Sequence, residues 1–203
     1  MKILLLSDLH KEEEILDRLK PQKYDLVIIA GDFEGKGYLK KVLALGENIY
    51  WIPGNMEPEN ICEELPEKCV HKKELDLVDG LKLIGFGFSN PTPFGTPGEL
   101  SEEQIYLGLA ELPIDNKTIL ITHTPPYGTL DEVDGEIHAG SKSLQKIMEE
   151  KKPLFLACGH IHNRVGKEKV GETTVVNIPP GNNLAGILLE IKGGHVHLDR
   201  EEL

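Results

Sequence analysis

Five short segments of this chain carry residues that bind metals: Ser7-Asp8-Leu9-His10, Gly31-Asp32, Pro53-Gly54-Asn55, Thr122-His123 and Gly159-His160-Ile161-His162. Each follows directly on a short apolar run. If those runs are strands of an α/β sheet, the five segments lie beyond strand carboxyl ends, where such sheets hold their ligands. Four of the eight histidines fall there. In extended backbone, residues i and i+2 project to one side about 6.6 Å apart, so Asp8/His10 and His160/His162 can each offer two ligands to one small volume. Gly31, Gly54 and Gly159 remove side-chain bulk where the backbone turns around that volume.

The donor set mixes carboxylate and amide oxygens with imidazole nitrogens and contains no thiolate. Such sets suit manganese, iron, nickel, zinc or cobalt, with manganese foremost, whereas all-oxygen sets favour calcium or magnesium. Asp8, His10, Asp32, Asn55, His123, His160 and His162 are too many for one tetrahedral ion. Two divalent ions sharing a bridging carboxylate would use them all. With two aspartates and a bridging hydroxide, the pair keeps a net positive charge that attracts an anion such as a phosphoryl group.

The elements needed to position these residues are legible. Strands at 2–6, 24–30 and 49–52 alternate with helices at 12–20 and 38–45, a βαβαβ pattern with a parallel sheet. Strands at 74–78 and 81–86 flank Asp79-Gly80, a dipeptide suited to a type I′ turn. The Pro- and Gly-rich stretch 88–98 reads as a surface loop within one domain spanning residues 1–203. Ser101 and Gln104 form a capping box that opens a helix to about Glu111; a strand at 117–122, a helix at 141–150 and a strand at 154–158 follow. Strands at 173–178, 184–191 and 196–198 read as an antiparallel C-terminal meander.

Composition bounds the partners. With 203 residues, the chain buries roughly 70% of the surface it exposes when unfolded, so it needs no metal to hold its core together. Against 34 acidic residues stand 22 basic ones, and the formal charge of −12 repels long nucleic acids and anionic membranes. No stretch approaches the ~20 apolar residues of a membrane helix, and the only apolar run near the N-terminus is too short for a signal peptide. The three cysteines, at 62, 69 and 158, leave one unpaired under any scheme, which favours a reducing, cytoplasmic setting.

Taken in order, Asp8-x-His10, Gly31-Asp32, Gly54-Asn55, His123 and Gly159-His160-x-His162 resemble the motifs of the calcineurin-like metallophosphoesterases, above all the small prokaryotic members without accessory domains. The resemblance implies a four-layer αββα sandwich of two mixed sheets. It places Asp8, His10, Asp32 and His162 on one metal and Asp32, Asn55, His123 and His160 on the other, with Asp32 as the bridge. The implied activity is hydrolysis of small phosphodiesters or phosphomonoesters by direct attack of a metal-bridging hydroxide, with Asp32, Asn55 and His123 at its catalytic centre. The sequence departs from the family where a histidine usually follows Gly-Asn: here stands Met56, which has no proton to donate.

Other residues have two readings. His138 is either a substrate contact or substitute acid, or a neighbour of the cap of the following helix; Arg164 either reaches a substrate phosphate or lies on a surface hairpin. Glu34 reads as an exposed acid in a Gly-rich turn rather than as a residue orienting a ligand. Met56 also keeps open a second function, a metal- and phosphate-binding regulatory or scaffold protein with negligible turnover.

Overall fold

The structure, a computed structural model, describes residues 1–135 and 137–203. In chain order the elements are β1 (Lys2–Leu6), α1 (Glu14–Arg18), β2 (Leu26–Ala30), α2 (Lys36–Leu43), β3 (Ile49–Ile52), α3 (Ile61–Glu64), β4 (Lys73–Asp76), β5 (Lys82–Phe86), α4 (Glu102–Ala110), β6 (Thr118–Thr122), β7 (Glu132–Val133), β8 (Ile137–His138), α5 (Lys142–Lys151), β9 (Phe155–Cys158), β10 (Gly166–Val170), β11 (Thr173–Asn177), β12 (Ala185–Lys192) and β13 (His195–Glu202).

Two mixed sheets form, ordered β13-β12-β1-β2-β3 and β10-β11-β9-β6-β5-β4. β1, β2 and β3 run parallel in the first, and β5, β6, β9 and β11 run parallel in the second. Their central strands read as unbroken apolar runs because both faces are covered. Ile3, Leu5, Ile28, Ala30, Ile119, Ile121 and Ala157 pack in a layer that holds residues of both sheets and, among the described residues, none from a helix. The alternate residues Leu4, Leu6, Val27, Ile29, Leu120 and Leu156 pack with helix residues such as Leu39, Val42, Leu109, Leu144 and Ile147. The period of two along each strand thus divides the core into one inner and two outer layers, giving the expected αββα sandwich.

Helix ends follow local rules. The capping box of Ser101 and Gln104 forms, and Ser141 Oγ accepts the Leu144 N–H at the start of α5. Asp79 and Gly80 take left-handed backbone (φ 58° and 72°) between β4 and β5.

The C-terminal meander is not observed. β11 pairs parallel with β9, whereas β12 pairs antiparallel with β1 in the other sheet; of the three strands expected to form the meander, β12 and β13 alone pair with each other as a hairpin. Pro179-Pro180 lacks the N–H groups needed to continue a ladder, and the chain crosses there between sheets, with Gly181 N–H donating to Asp8 O at 2.9 Å. β10 escaped the sequence reading because it is a solvated edge strand, Gly-Lys-Glu-Lys-Val, with no apolar pattern. Among the described residues no helix is long and apolar enough to cross a membrane.

Cys62 and Cys69 are joined in a disulfide and Cys158 is a buried free thiol, so the cysteines do not support the reducing setting inferred from their number.

Because Ile121 is fully buried in the layer between the sheets, Ile121→Ala should cost about 2–5 kcal/mol in urea denaturation. Leu107→Ala, on the exposed side of α4, should stay within about 0.5 kcal/mol. Equal losses would contradict the layer assignment.

Candidate metal centre

The carboxyl ends of β1, β2, β3, β6 and β9 meet at one edge of the sandwich. Backbone contacts lock them: Asp8 N–H donates to Gly31 O (3.0 Å), His10 N–H to Asp32 O (2.9 Å) and Gly159 N–H to His123 O (2.9 Å). Asp8, His10, Asp32 and His160 all adopt positive φ, at 52°, 42°, 58° and 67°. Such strain in non-glycine residues persists only where the surroundings impose it. The glycines are equally constrained. A Cβ on Gly31 would lie 2.5 Å from Gly54 N, and one on Gly159 would overlap Ser7 Oγ and Asp8 Oδ2.

Two groups of side chains result. Ligand atoms of Asp8, His10 and His162 all lie within 4.8 Å of one another, and so do those of Asp32, His123 and His160. Asp32 faces both groups: Oδ1 is 3.5 Å from His123 Nε2, and Oδ2 is 3.9 Å from His10 Nε2. Asn55 joins the second group, with Oδ1 2.9 Å from His123 Nε2. All seven ligand candidates therefore converge.

The outer hydrogen bonds set which atoms face inward. His10 Nδ1 meets Glu34 Oε1 and His123 Nδ1 meets Ala30 O, both at 2.7 Å, which directs each Nε2 into the cluster. Glu34 thus holds the His10 ring in place, where an exposed acid was expected. Asp8 Oδ2 accepts from Ser7 Oγ (2.6 Å) and His160 N–H (3.0 Å). Its other oxygen, Oδ1, is buried with no hydrogen-bond partner among the described residues, although His162 Nε2 stands 3.2 Å away.

These contacts fit cations. With Nδ1 donating to Ala30, a neutral His123 would turn a lone pair toward the Asn55 oxygen, and His10 Nε2 and His162 Nε2 face each other at 3.3 Å. Each juxtaposition calls for a proton or a metal ion between the atoms. Burial opposes charge on His123, but the Asp32 carboxylate outweighs it and pushes the pKa up to about 10. Burial and the neighbouring His123 push His160 down to about 4, leaving a neutral ring with a lone pair to offer. Burial likewise works against ionising Asp8 and Asp32, yet His162 and His123 hold both below the ordinary carboxylate range. An orphaned carboxylate oxygen and a mixed nitrogen and oxygen donor set match a pair of divalent ions.

Sequence reasoning missed Glu57. Its buried carboxylate accepts four backbone N–H groups, from Asp32 (2.9 Å), Phe33 (2.8 Å), Glu34 (3.1 Å) and Gly54 (2.8 Å). It thereby ties the loop after β2 to the loop after β3. Burial and the neighbouring Asp32 raise its pKa, opposed by the N–H donors of Gly54 and Phe33. An acid one residue beyond Met56 carries no spacing signal, because its partners are main-chain groups. His138 Nδ1 bonds Asp131 Oδ1 at 2.7 Å, and Arg164 pairs with Glu132 at 2.6 Å. Neither belongs to the two ligand groups.

The family model for calcineurin-like phosphoesterases matches residues 1–164. The chain belongs to that family. An uncharacterised protein of Methanocaldococcus jannaschii is 35% identical over 193 residues, covering 89% of this chain and 88% of that one. Among solved structures, a dimetal phosphatase from Danio rerio superposes with a TM-score of 0.69 at 9% identity, covering 100% of this chain and 96% of that one. A novel archaeal phosphodiesterase gives 0.56 at 16% identity, covering 98% and 99%. These superpositions show a shared fold.

Glu57→Ala should leave four N–H groups, three of them buried, without their acceptor and lower the stability of the metal-free protein by about 3 kcal/mol, while Glu57→Gln, which keeps one acceptor oxygen, should lose less. Denaturant midpoints read both, and an alanine variant as stable as the parent would remove Glu57 from this role.

Proposed function

We propose that this protein is a dinuclear metal-dependent phosphoesterase acting on small phosphodiesters or phosphomonoesters. The observation that carries the reading is the pair of ligand groups, Asp8/His10/His162 and Asp32/His123/His160, with Asp32 facing both. Asp8, His10 and His162 hold one ion; Asn55, His123 and His160 hold the other; Asp32 is shared. When bound, two divalent ions polarise phosphoryl oxygens and bring the pKa of water toward neutrality. Manganese is the foremost candidate, with iron, nickel, zinc or cobalt as alternatives the donor set accepts.

The protein's own residues do the rest. Glu34 and the Ala30 carbonyl keep the imidazoles of His10 and His123 turned inward. Glu57 fixes the two loops that carry Asp32 and Asn55. Asp32, Asn55 and His123 form the catalytic centre around the phosphoryl group, and His138 and Arg164 meet the remainder of the substrate from the rim. The formal charge of −12 selects short substrates over long polyanions.

The test is turnover of a phosphoester panel with each divalent metal, together with metal content by elemental analysis. The parent should carry two ions per chain and hydrolyse small esters, and long nucleic acids should compete poorly. Asp32→Asn should drop below one ion per chain and lose activity by about 100-fold or more. An Asp32→Asn protein with two ions and full turnover would reject the shared aspartate. A doubly loaded parent inert on every ester would favour the binding or scaffold reading.

A further inference from the structure

Hydrolysis of an alkyl phosphoester expels a strongly basic oxygen, which departs far faster when an acid hands it a proton. Around the proposed centre, His10, His123, His160 and His162 each turn a ring nitrogen into the ligand groups. The exposed thioether of Met56 has no proton to give, and the Arg164 guanidinium keeps its protons at any working pH. His138 stands apart from these. Its Nδ1 is 2.7 Å from Asp131 Oδ1, and its ring rests on Tyr127 with centroids 5.2 Å apart.

Asp131 is 0% exposed, and its other oxygen accepts the N–H groups of Gly128 (3.0 Å) and Gly140 (2.9 Å). Burying a carboxylate is expensive unless it is fully hydrogen-bonded. Oδ2 is taken up by the two main-chain donors, and Oδ1 holds the imidazole. Two hydrogen-bond relays also tie the segments carrying this pair to segments that carry proposed ligands. Asn177 Nδ2 donates to Ile161 O (2.8 Å) and Leu130 O (3.5 Å), linking the residue between His160 and His162 to the neighbour of Asp131. Thr124 Oγ1 donates to Asn90 Oδ1 (2.7 Å) and Asn90 Nδ2 to Ala139 O (3.0 Å), linking the residue after His123 to the residue after His138.

We infer that His138, oriented by Asp131, is the acid that protonates the departing oxygen of the substrate. The inference rests on the phosphoesterase reading above and adds a catalytic residue to it. As water, its proton released to solvent, forms a new bond to phosphorus, the P–O bond to the leaving group breaks. The departing oxygen keeps that electron pair and takes the proton from His138 Nε2. The alcohol leaves, and the neutral imidazole regains a proton from solvent. The charged groups around the ring are Asp131 and Glu132, which favour its protonated form, and Arg164, which opposes it; the bond to Asp131 dominates and the pKa lies above the ordinary histidine value. Lys142 stands over the Tyr127 ring beside it. Asp131 is then a positioning residue.

The experiment compares the parent, His138→Gln and Asp131→Asn at matched metal content on phosphoesters whose leaving groups run from p-nitrophenol to simple alcohols. His138→Gln should lose about 10²–10⁴-fold in kcat/KM on alkyl esters and far less on p-nitrophenyl esters, so that the slope against leaving-group pKa steepens. Equal losses on both classes, or none, would overturn the inference while leaving the phosphoesterase reading intact. A parent inert on both would overturn that reading and the inference together. A readout independent of turnover is NMR titration of the His138 ring in the metal-free protein. Asp131→Asn should lower its pKa and move the basic limb of the kcat/KM profile the same way; an unchanged titration would remove Asp131 from the role. His138 lies on the surface, so its variant tests the claim even if Asp131→Asn fails to fold.

Discussion

Two carboxylates, Asp8 at 1% and Asp32 at 3% exposure, are held facing one small volume at the edge where two sheets meet. Desolvation and mutual repulsion both oppose that arrangement, and only positive charge placed between them makes it tolerable. Much of the surrounding structure follows from this. His123 is driven to keep a proton by Asp32. Ser7 and the His160 N–H satisfy one oxygen of Asp8 and leave the other without a hydrogen bond among the described residues. The left-handed backbone at Asp8, His10, Asp32 and His160 is the conformational strain of bringing so many donors to one place. Divalent ions would take the place of that proton and meet the bare oxygen, and the proposed function rests on that fit.

The framework that imposes the strain is stiff because its strands are buried on both faces. Ile3 and Leu5 look into the layer between the sheets while Leu4 and Leu6 look toward the helices, so β1 cannot slip by one residue without reversing both sets. The carboxyl end of β1, and with it Asp8, is fixed by that register. Glu57 performs the equivalent service for the loops, joining the turn after β2 to the turn after β3 through four main-chain donors.

The sequence revealed the parts of this plan that are written in local pattern. β1 and β3 emerged with the observed limits because each apolar run has a clear stop, Lys2 and Ser7 around Ile3–Leu6 and Asn48 and Pro53 around Ile49–Ile52, and all seven proposed ligands stood out because they sit at run ends. The passage from β11 to β12 was misread, since alternation marks a strand without saying which sheet accepts it. β10 was missed because an edge strand of lysine and glutamate has no apolar face to announce it. Glu57 and Asp131 were invisible for another reason: their partners are backbone N–H groups and, for Asp131, the imidazole of His138, and neither leaves a trace in spacing. Glu34 was legible only as an acid in a turn until the fold brought His10 to it.

The central claim is that the two ligand groups are two metal positions sharing Asp32. Anomalous diffraction at the manganese edge from crystals of the manganese-loaded protein tests it most directly. The account predicts two peaks, one among Asp8, His10 and His162 and the other among Asn55, His123 and His160, both in contact with Asp32. A single peak, or two that leave Asp32 on only one of them, would contradict it.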